Sequence, residues 1–159
     1  MNSSVSIDFG ALQQFLKIKN ENSKRYIFCI IRKKYLVITP EEIVRQLFIL
    51  YLINTKHYPK NRIAVEKQLL INGLSKRFDI MILDKNFEPL ILIECKAPNV
   101  PITQDVFNQV ARYNMSLQTD LIIVTNGKET YCCKVNRVNK EFEFLEDIPV
   151  FFKNNISIV

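Results

Sequence analysis

The sequence predicts a single α/β domain, and three observations predict it. Apolar residues alternate or run unbroken over several short segments, whereas two longer segments carry them at helical spacing. Turn and capping residues fall between these segments, as at Thr39-Pro40-Glu41-Glu42, Asn72-Gly73 and Asn126-Gly127. No repeat, low-complexity tract or linker divides the chain. The order hairpin, α, β, β, β, α, β, β therefore reads as one unit, long enough at 159 residues for a sizeable core.

Residues 7–16 place Ile7, Leu12, Phe15 and Leu16 as in a short helix. Tyr26–Ile31 and Tyr35–Ile38 read as strands joined across Arg32-Lys33-Lys34. Thr39 as N-cap, Pro40 at the first helical position and Glu42 as the capping-box acid start a helix running to about Asn54. Its apolar stripe is Ile43, Leu47, Leu50 and Tyr51. Ile63–Ile71 alternates as one strand closing at Asn72-Gly73, a hairpin signal. Arg77–Leu83 and Leu90–Lys96 follow as strands. A second helix spans Thr103 to Leu117, with Val106, Val110, Tyr113 and Leu117 on one stripe. Leu121–Thr125, Glu129–Val135 and Glu141–Leu145 complete the strands before an irregular tail.

Several classes of function drop out. Gly10, Gly73 and Gly127 are the only glycines, so neither a Walker A loop nor G-x-G-x-x-G exists and no nucleotide cofactor is expected. The single histidine, His57, follows the first helix and gives no support to a Ser-His-Asp triad. The first ten residues have neither the basic nor the apolar region of a secretory signal. No apolar run reaches the length of a membrane span. Cys29, Cys95, Cys132 and Cys133 show no C-x-x-C spacing and read as reduced, strand-packed thiols. A cytoplasmic location without membrane contact is the expectation.

Charge is unevenly distributed. Of a net +6, residues 1–39 carry +5: Lys17, Lys19, Lys24, Arg25, Arg32, Lys33 and Lys34 against Asp8 and Glu21. Such a stripe suits a phosphate-binding surface; a solvated hairpin turn at Arg32–Lys34 accounts for it equally well.

The informative stretch is Ile91–Pro98, I-L-I-E-C-K-A-P, with Asp79 at the end of R-F-D. Side chains alternate along a strand, so Glu94 and Lys96 share one face and Cys95 points to the other. Pairing across the turn at Asp84–Pro89 brings Asp79 beside Glu94. Charges are seldom drawn toward an apolar sheet unless paired or bound to a metal. Two readings stay open on the residues alone: an ion network at the sheet edge, or a metal site.

Together these elements resemble the PD-(D/E)xK nuclease superfamily, and more narrowly the N-terminal domain of type I restriction enzyme R subunits. The resemblance rests on T-P-E-E-I-V-R-Q (39–46), K-R-F-D (76–79), I-E-C-K-A-P (93–98), Q-V-A-R-Y (109–113) and V-T-N-G (124–127). It covers residues 24–150 as a nuclease-like domain, between an N-terminal extension (1–23) and a C-terminal tail (151–159). The implied fold is a restriction endonuclease-like core, a mixed sheet flanked by helices with an N-terminal β-hairpin.

The resemblance also implies roles. Asp79 and Glu94 match the metal-binding acids, with a backbone carbonyl near Cys95 as a further ligand, for Mg²⁺ with Mn²⁺ as a substitute. Lys96 matches the lysine that positions the attacking water and offsets charge on the phosphate. Glu42 matches an acid on the first helix that reaches the metal in relatives, although its capping position explains it as well. Gln109 and Tyr113 match Q-x-x-x-Y and share a helix face; Tyr113 also suits the core. Arg45, Lys76 and Arg77 join Arg32, Lys33 and Lys34 as phosphate contacts, solvated charge being the alternative. Phe78, where a small residue is usual, departs from the family pattern.

The implied activity is Mg²⁺-dependent hydrolysis of DNA phosphodiester bonds leaving a 5′-phosphate, related to restriction. Without a motor motif the domain would act alone, as a homodimer, or with separate restriction-system subunits. A non-catalytic DNA-binding module and a protein-binding subunit are the alternatives.

Overall fold

The protein is described here by a computed structural model, which covers residues 4–71, 73–136, 138–139, 141–152 and 155–157. Its centre is a six-stranded mixed sheet. The strands are β4 (Ile63–Val65), β7 (Ile80–Leu83), β8 (Pro89–Cys95), β9 (Leu121–Thr125), β10 (Thr130–Asn136) and β11 (Glu141–Leu145). They lie in the order β11-β10-β9-β8-β7-β4, with β8 and β9 parallel and the other neighbours antiparallel.

Strand alternation sorts the core into two layers. Ile80, Ile82, Ile91, Ile93, Cys95 and Ile123 face helix α1 (Pro40–Asn54), meeting Val44, Phe48, Ile49 and Leu52. Met81, Leu92, Ile122 and Val124 face helix α2 (Gln104–Leu117), meeting Phe107, Val110 and Ala111. With both faces covered, the central strands read as continuous apolar runs. Both helices begin as the sequence dictates: the Thr39 hydroxyl accepts from the Glu42 N–H at 3.0 Å, and Thr103 caps α2 through Val106. Gly127, in the V-T-N-G turn, has φ +83°, and a Cβ there would lie 3.1 Å from Val44 Cγ2. That turn must be glycine for helix α1 to approach it.

A second, three-stranded antiparallel sheet precedes α1: β1 (Ile18–Glu21), β2 (Lys24–Cys29) and β3 (Lys34–Val37). The expected hairpin is β2–β3, and β1 is an addition. Residues 7–16 do not form the expected helix; only Gln13–Phe15 makes a 3-10 turn. Of the expected stripe, Leu12 enters the α1-side core with Val5 and Phe9, Ile7 and Leu16 pack against it, and Phe15 is exposed. Residues 4–21, within the segment set apart as an extension, are thus joined to the domain.

Ile63–Ile71 is not one strand. It breaks at Glu66, where φ is +45°, into β4 and β5 (Gln68–Ile71). β5 pairs with β6 (Leu74–Arg77) in the hairpin expected at Asn72-Gly73, Asn72 itself lying outside the described residues. Likewise Arg77–Leu83 divides into β6 and β7, with Phe78 and Asp79 between them. Phe78 is buried on the α2 side, which accommodates the departure noted above. The tail, expected to be irregular, pairs as β12 (Val150–Phe152) with β13 (Asn155–Ser157). Among the described residues no helix is long and apolar enough to cross a membrane. All four cysteines are free and buried.

Candidate active site

The sheet delivers its charges at the end of β8. β7 pairs with β8 so that Ile80 faces Ile93, which sets Asp79 opposite Glu94 one step further on. Beyond the strand end, the Lys96 N–H donates to the Thr125 carbonyl at 2.8 Å, continuing the parallel pairing. Asp79 Oδ2 accepts the Cys95 backbone N–H at 2.7 Å, and Lys96 Nζ donates to Glu94 Oε1 at 2.8 Å. Asp79, Glu94 and Lys96 thus converge as alternation and hairpin pairing require. The Cys95 thiol lies in the α1-side core, leaving only its backbone to serve the site.

Each charge feels the others. Burial pushes the Glu94 carboxyl above the usual carboxylate range, and the Asp79 charge adds to this against the pull of Lys96. Burial opposes the Lys96 ammonium, but the hydrogen bond and charge of Glu94, with Asp79 behind it, outweigh that and raise its pKa. Lys96 is therefore protonated at neutral pH. The Tyr113 hydroxyl is raised too, by burial first and then by Glu94 and Asp79.

Behind Asp79 stands Arg45, whose side chain is 5% exposed. Its Nη2 reaches Asp79 Oδ1 at 2.8 Å and Glu41 at 3.0 Å; its Nη1 contacts Glu42 and lies 3.5 Å from Glu66. Burial works against this cation, but Asp79 foremost, then Glu42 and Glu66, hold its pKa above the ordinary arginine value. Nε is buried without a partner among the described residues. Arg45, expected as a phosphate contact, is thus an internal cation whose fork is already occupied. Glu42 is buried, bonded to Arg45 and to Gln46 Nε2 (2.7 Å); among the described residues it is linked to Asp79 through Arg45.

Glu66 is the member that sequence reasoning missed. Its positive φ turns it out of the strand, while its N–H donates to the Asp79 carbonyl at 2.9 Å. Its carboxylate gathers Arg32, Arg77 and Arg45 from three separate elements. The polar run Glu66-Lys67-Gln68, interrupting apolar residues, was the available signal. Burial pushes its carboxyl up, but Arg45, Arg77 and Arg32 prevail and hold it below the ordinary value of 4.5. A depressed carboxyl stabilises the fold above pH 4.5, and that contribution disappears as pH falls through the folded value. Glu66→Gln should therefore cost about 1–3 kcal/mol at pH 7. The gap between variant and native melting temperatures should close below pH 4.5, as thermal unfolding across a pH series would measure.

The remaining expected residues are placed as follows. Tyr113 donates to the Arg77 carbonyl at 2.9 Å, tying α2 to the segment that leads into Asp79. Gln109 is on the exposed side of α2, and among the described residues the acids and Lys96 bond elsewhere. Arg77 is 60% exposed though bonded to Glu66, and Arg32 is half-buried on the same carboxylate. Lys33 and Lys34 are exposed. The Lys76 side chain falls outside the described residues.

The donor set suits a hydrated divalent cation. Glu41, Glu42, Glu66, Asp79 and Glu94 face Arg32, Arg45, Arg77 and Lys96, leaving one formal negative charge in excess. Among the described residues no three His, Cys, Asp or Glu groups form a cage. Mg²⁺ needs none, since it retains several waters and takes one or two carboxylates. Burial first, and the Asp79 charge second, raise Glu94, and Lys96 offsets only part of this.

The family model described as "Type I restriction enzyme R protein N terminus (HSDR_N)" matches residues 40–149. Among solved structures, the chain is similar to a fragment of a putative HsdR subunit of a type I restriction enzyme from Vibrio vulnificus YJ016. The TM-score is 0.51 at 18% identity, over 69% of this chain and 23% of that one. The chain thus spans about a quarter of that relative. No curated protein matches it in sequence.

Proposed function

Because the chain belongs to the family of type I restriction enzyme R protein N termini, we propose that it is a Mg²⁺-dependent nuclease hydrolysing DNA phosphodiester bonds in a restriction system. The observation that carries this reading is the convergence of Asp79, Glu94 and Lys96 at one strand end, with Glu94 pushed up by burial and then by the Asp79 charge.

A divalent cation at such a site polarises the scissile phosphate and acidifies a bound water. Asp79 and Glu94, with the Cys95 carbonyl, would hold it. Asp79 is aimed in advance, one oxygen fixed by the Cys95 N–H and the other by Arg45. Protonated Lys96 donates to the attacking water or the phosphate and offsets the charge that develops there. Lys33, Lys34 and Arg77 expose charge for backbone phosphates. Tyr113 acts indirectly, through the Arg77 carbonyl. Other restriction-system subunits, or a second copy, would complete a double-strand cut, since one site cleaves one strand.

Supercoiled plasmid and single-stranded DNA incubated with Mg²⁺ or Mn²⁺ test this. The native protein should nick and linearise the plasmid, and Asp79→Ala should not. Equal cleavage by both would reject the assigned site. A non-catalytic DNA-binding module is the second reading, favoured by the hold of Arg45 on Asp79. It predicts no cleavage, with affinity falling steeply as salt rises.

A further inference from the structure

The three-stranded sheet before α1 lies outside the matched residues 40–149, and its two faces differ. Ile27 and Cys29 are fully buried on the inner face. The register places Lys19 beside Tyr26, Tyr26 beside Val37, and Phe28 beside Tyr35 on the outer face. Lys17 joins them, its carbonyl accepting the Phe28 N–H at 2.9 Å. Phe28 and Tyr35 are 5.2 Å apart between ring centroids. Lys19 Nζ lies 4.7 Å from the Tyr35 centroid and 5.5 Å from that of Tyr26, and Lys17 Nζ lies 5.8 Å from Phe28. Tyr35 is 41% exposed and Val37 52%. Tyr26 and Phe28 are half-buried, Phe28 beside Phe15, Gln46 and Leu50, so Tyr35 is the ring most open to solvent.

We infer that this face binds single-stranded nucleic acid, stacking bases on Tyr26, Phe28 and Tyr35 while Lys17 and Lys19 meet the phosphates. Aromatic rings on a sheet interleaved with cations recognise unpaired bases, whose faces a duplex keeps stacked. Charge complementarity favours a polyanion: residues 17–37 hold Lys17, Lys19, Lys24, Arg25, Arg32, Lys33 and Lys34 against Glu21 alone. Glu21 bonds Lys19 at 2.7 Å, an exposed pair that a phosphate can displace at little cost. A protein partner fits less well, because lysine is depleted where proteins meet. The β2–β3 turn connects the face to the strand-end acids through Arg32, Glu66, Arg45 and Asp79.

Anisotropy of fluorescein-labelled oligothymidylate, read in EDTA, tests the inference without any cleavage. Tyr35→Ala should weaken binding about tenfold, and Tyr35→Phe, which keeps the ring, should bind as the native protein does. An oligonucleotide of abasic sites should bind the native protein about tenfold more weakly than oligothymidylate. Lys17→Ala should flatten the salt dependence. Unchanged affinity in Tyr35→Ala, equal affinity for the abasic strand, or preference for duplex overturns the proposal. Absence of oligonucleotide binding by the native protein overturns it as well and leaves the face to a protein partner. As the assay needs no cation, failure of the nuclease reading leaves this result standing.

Discussion

Lys96→Ala should reduce plasmid cleavage by about 10²–10³-fold while leaving DNA affinity nearly unchanged. The ammonium is half-buried against Glu94 and raised in pKa by both acids, so it is present as a cation whenever substrate arrives. Removing it withdraws a donor from the place where phosphate charge grows. It also leaves Glu94 beside Asp79 without its balancing cation, so Glu94 should take up a proton more readily. Lys96→Arg should restore little, because a planar fork does not replace a compact point charge within reach of a water. First-order rates of supercoiled plasmid loss, beside anisotropy on the same DNA, separate the two effects. Retention of cleavage within threefold would remove Lys96 from the mechanism.

Arg45→Met carries the second large effect, on stability. Four carboxylates converge on one guanidinium that is 5% exposed, and two of them, Glu42 and Glu66, are themselves only 8% and 11% exposed. A buried pair adds little compared with an apolar substitute, but deleting one partner strands the other charge. The expected cost is about 3–5 kcal/mol in urea unfolding at neutral pH. Arg45→Lys should lose less, since it keeps the charge but cannot span Asp79 and Glu42 together. At low pH the Met variant should approach the native protein, because the stranded acids protonate. A loss below 1 kcal/mol at neutral pH would mean that the network organises the site without supporting the fold.

Local chemistry made much of this legible. Thr39, Pro40 and Glu42 defined the start of α1, and the predicted end near Asn54 coincides with the observed one. Leu121–Thr125 and Glu141–Leu145 appear with the expected bounds. Asp79, Glu94 and Lys96 could be brought together by alternation and one hairpin. The role of Glu66 could not be read, because the arginines that meet its carboxylate come from elements distant in sequence. β1 escaped notice because Ile18-Lys19-Asn20-Glu21 has little apolar character and pairs through its backbone. Arg45 was legible as a neighbour of Glu42 but not as the counterion of Asp79, a contact between residues 34 positions apart. The apolar residues of 7–16 dock on the core through Phe9 and Leu12 without the expected helix, and Phe15 stays exposed.

The sulfur of Cys95 is sealed against α1 directly beneath the strand end that presents Glu94 and Lys96. Alkylating reagents can attack it only when those layers part, so its modification rate becomes a clock for separation of the layers. A centre built on carboxylates and an amine has a soft nucleophile as its next-door neighbour, yet the fold keeps it from oxidants and thiophilic metals. The same burial holds its thiol well above the range in which thiolate forms.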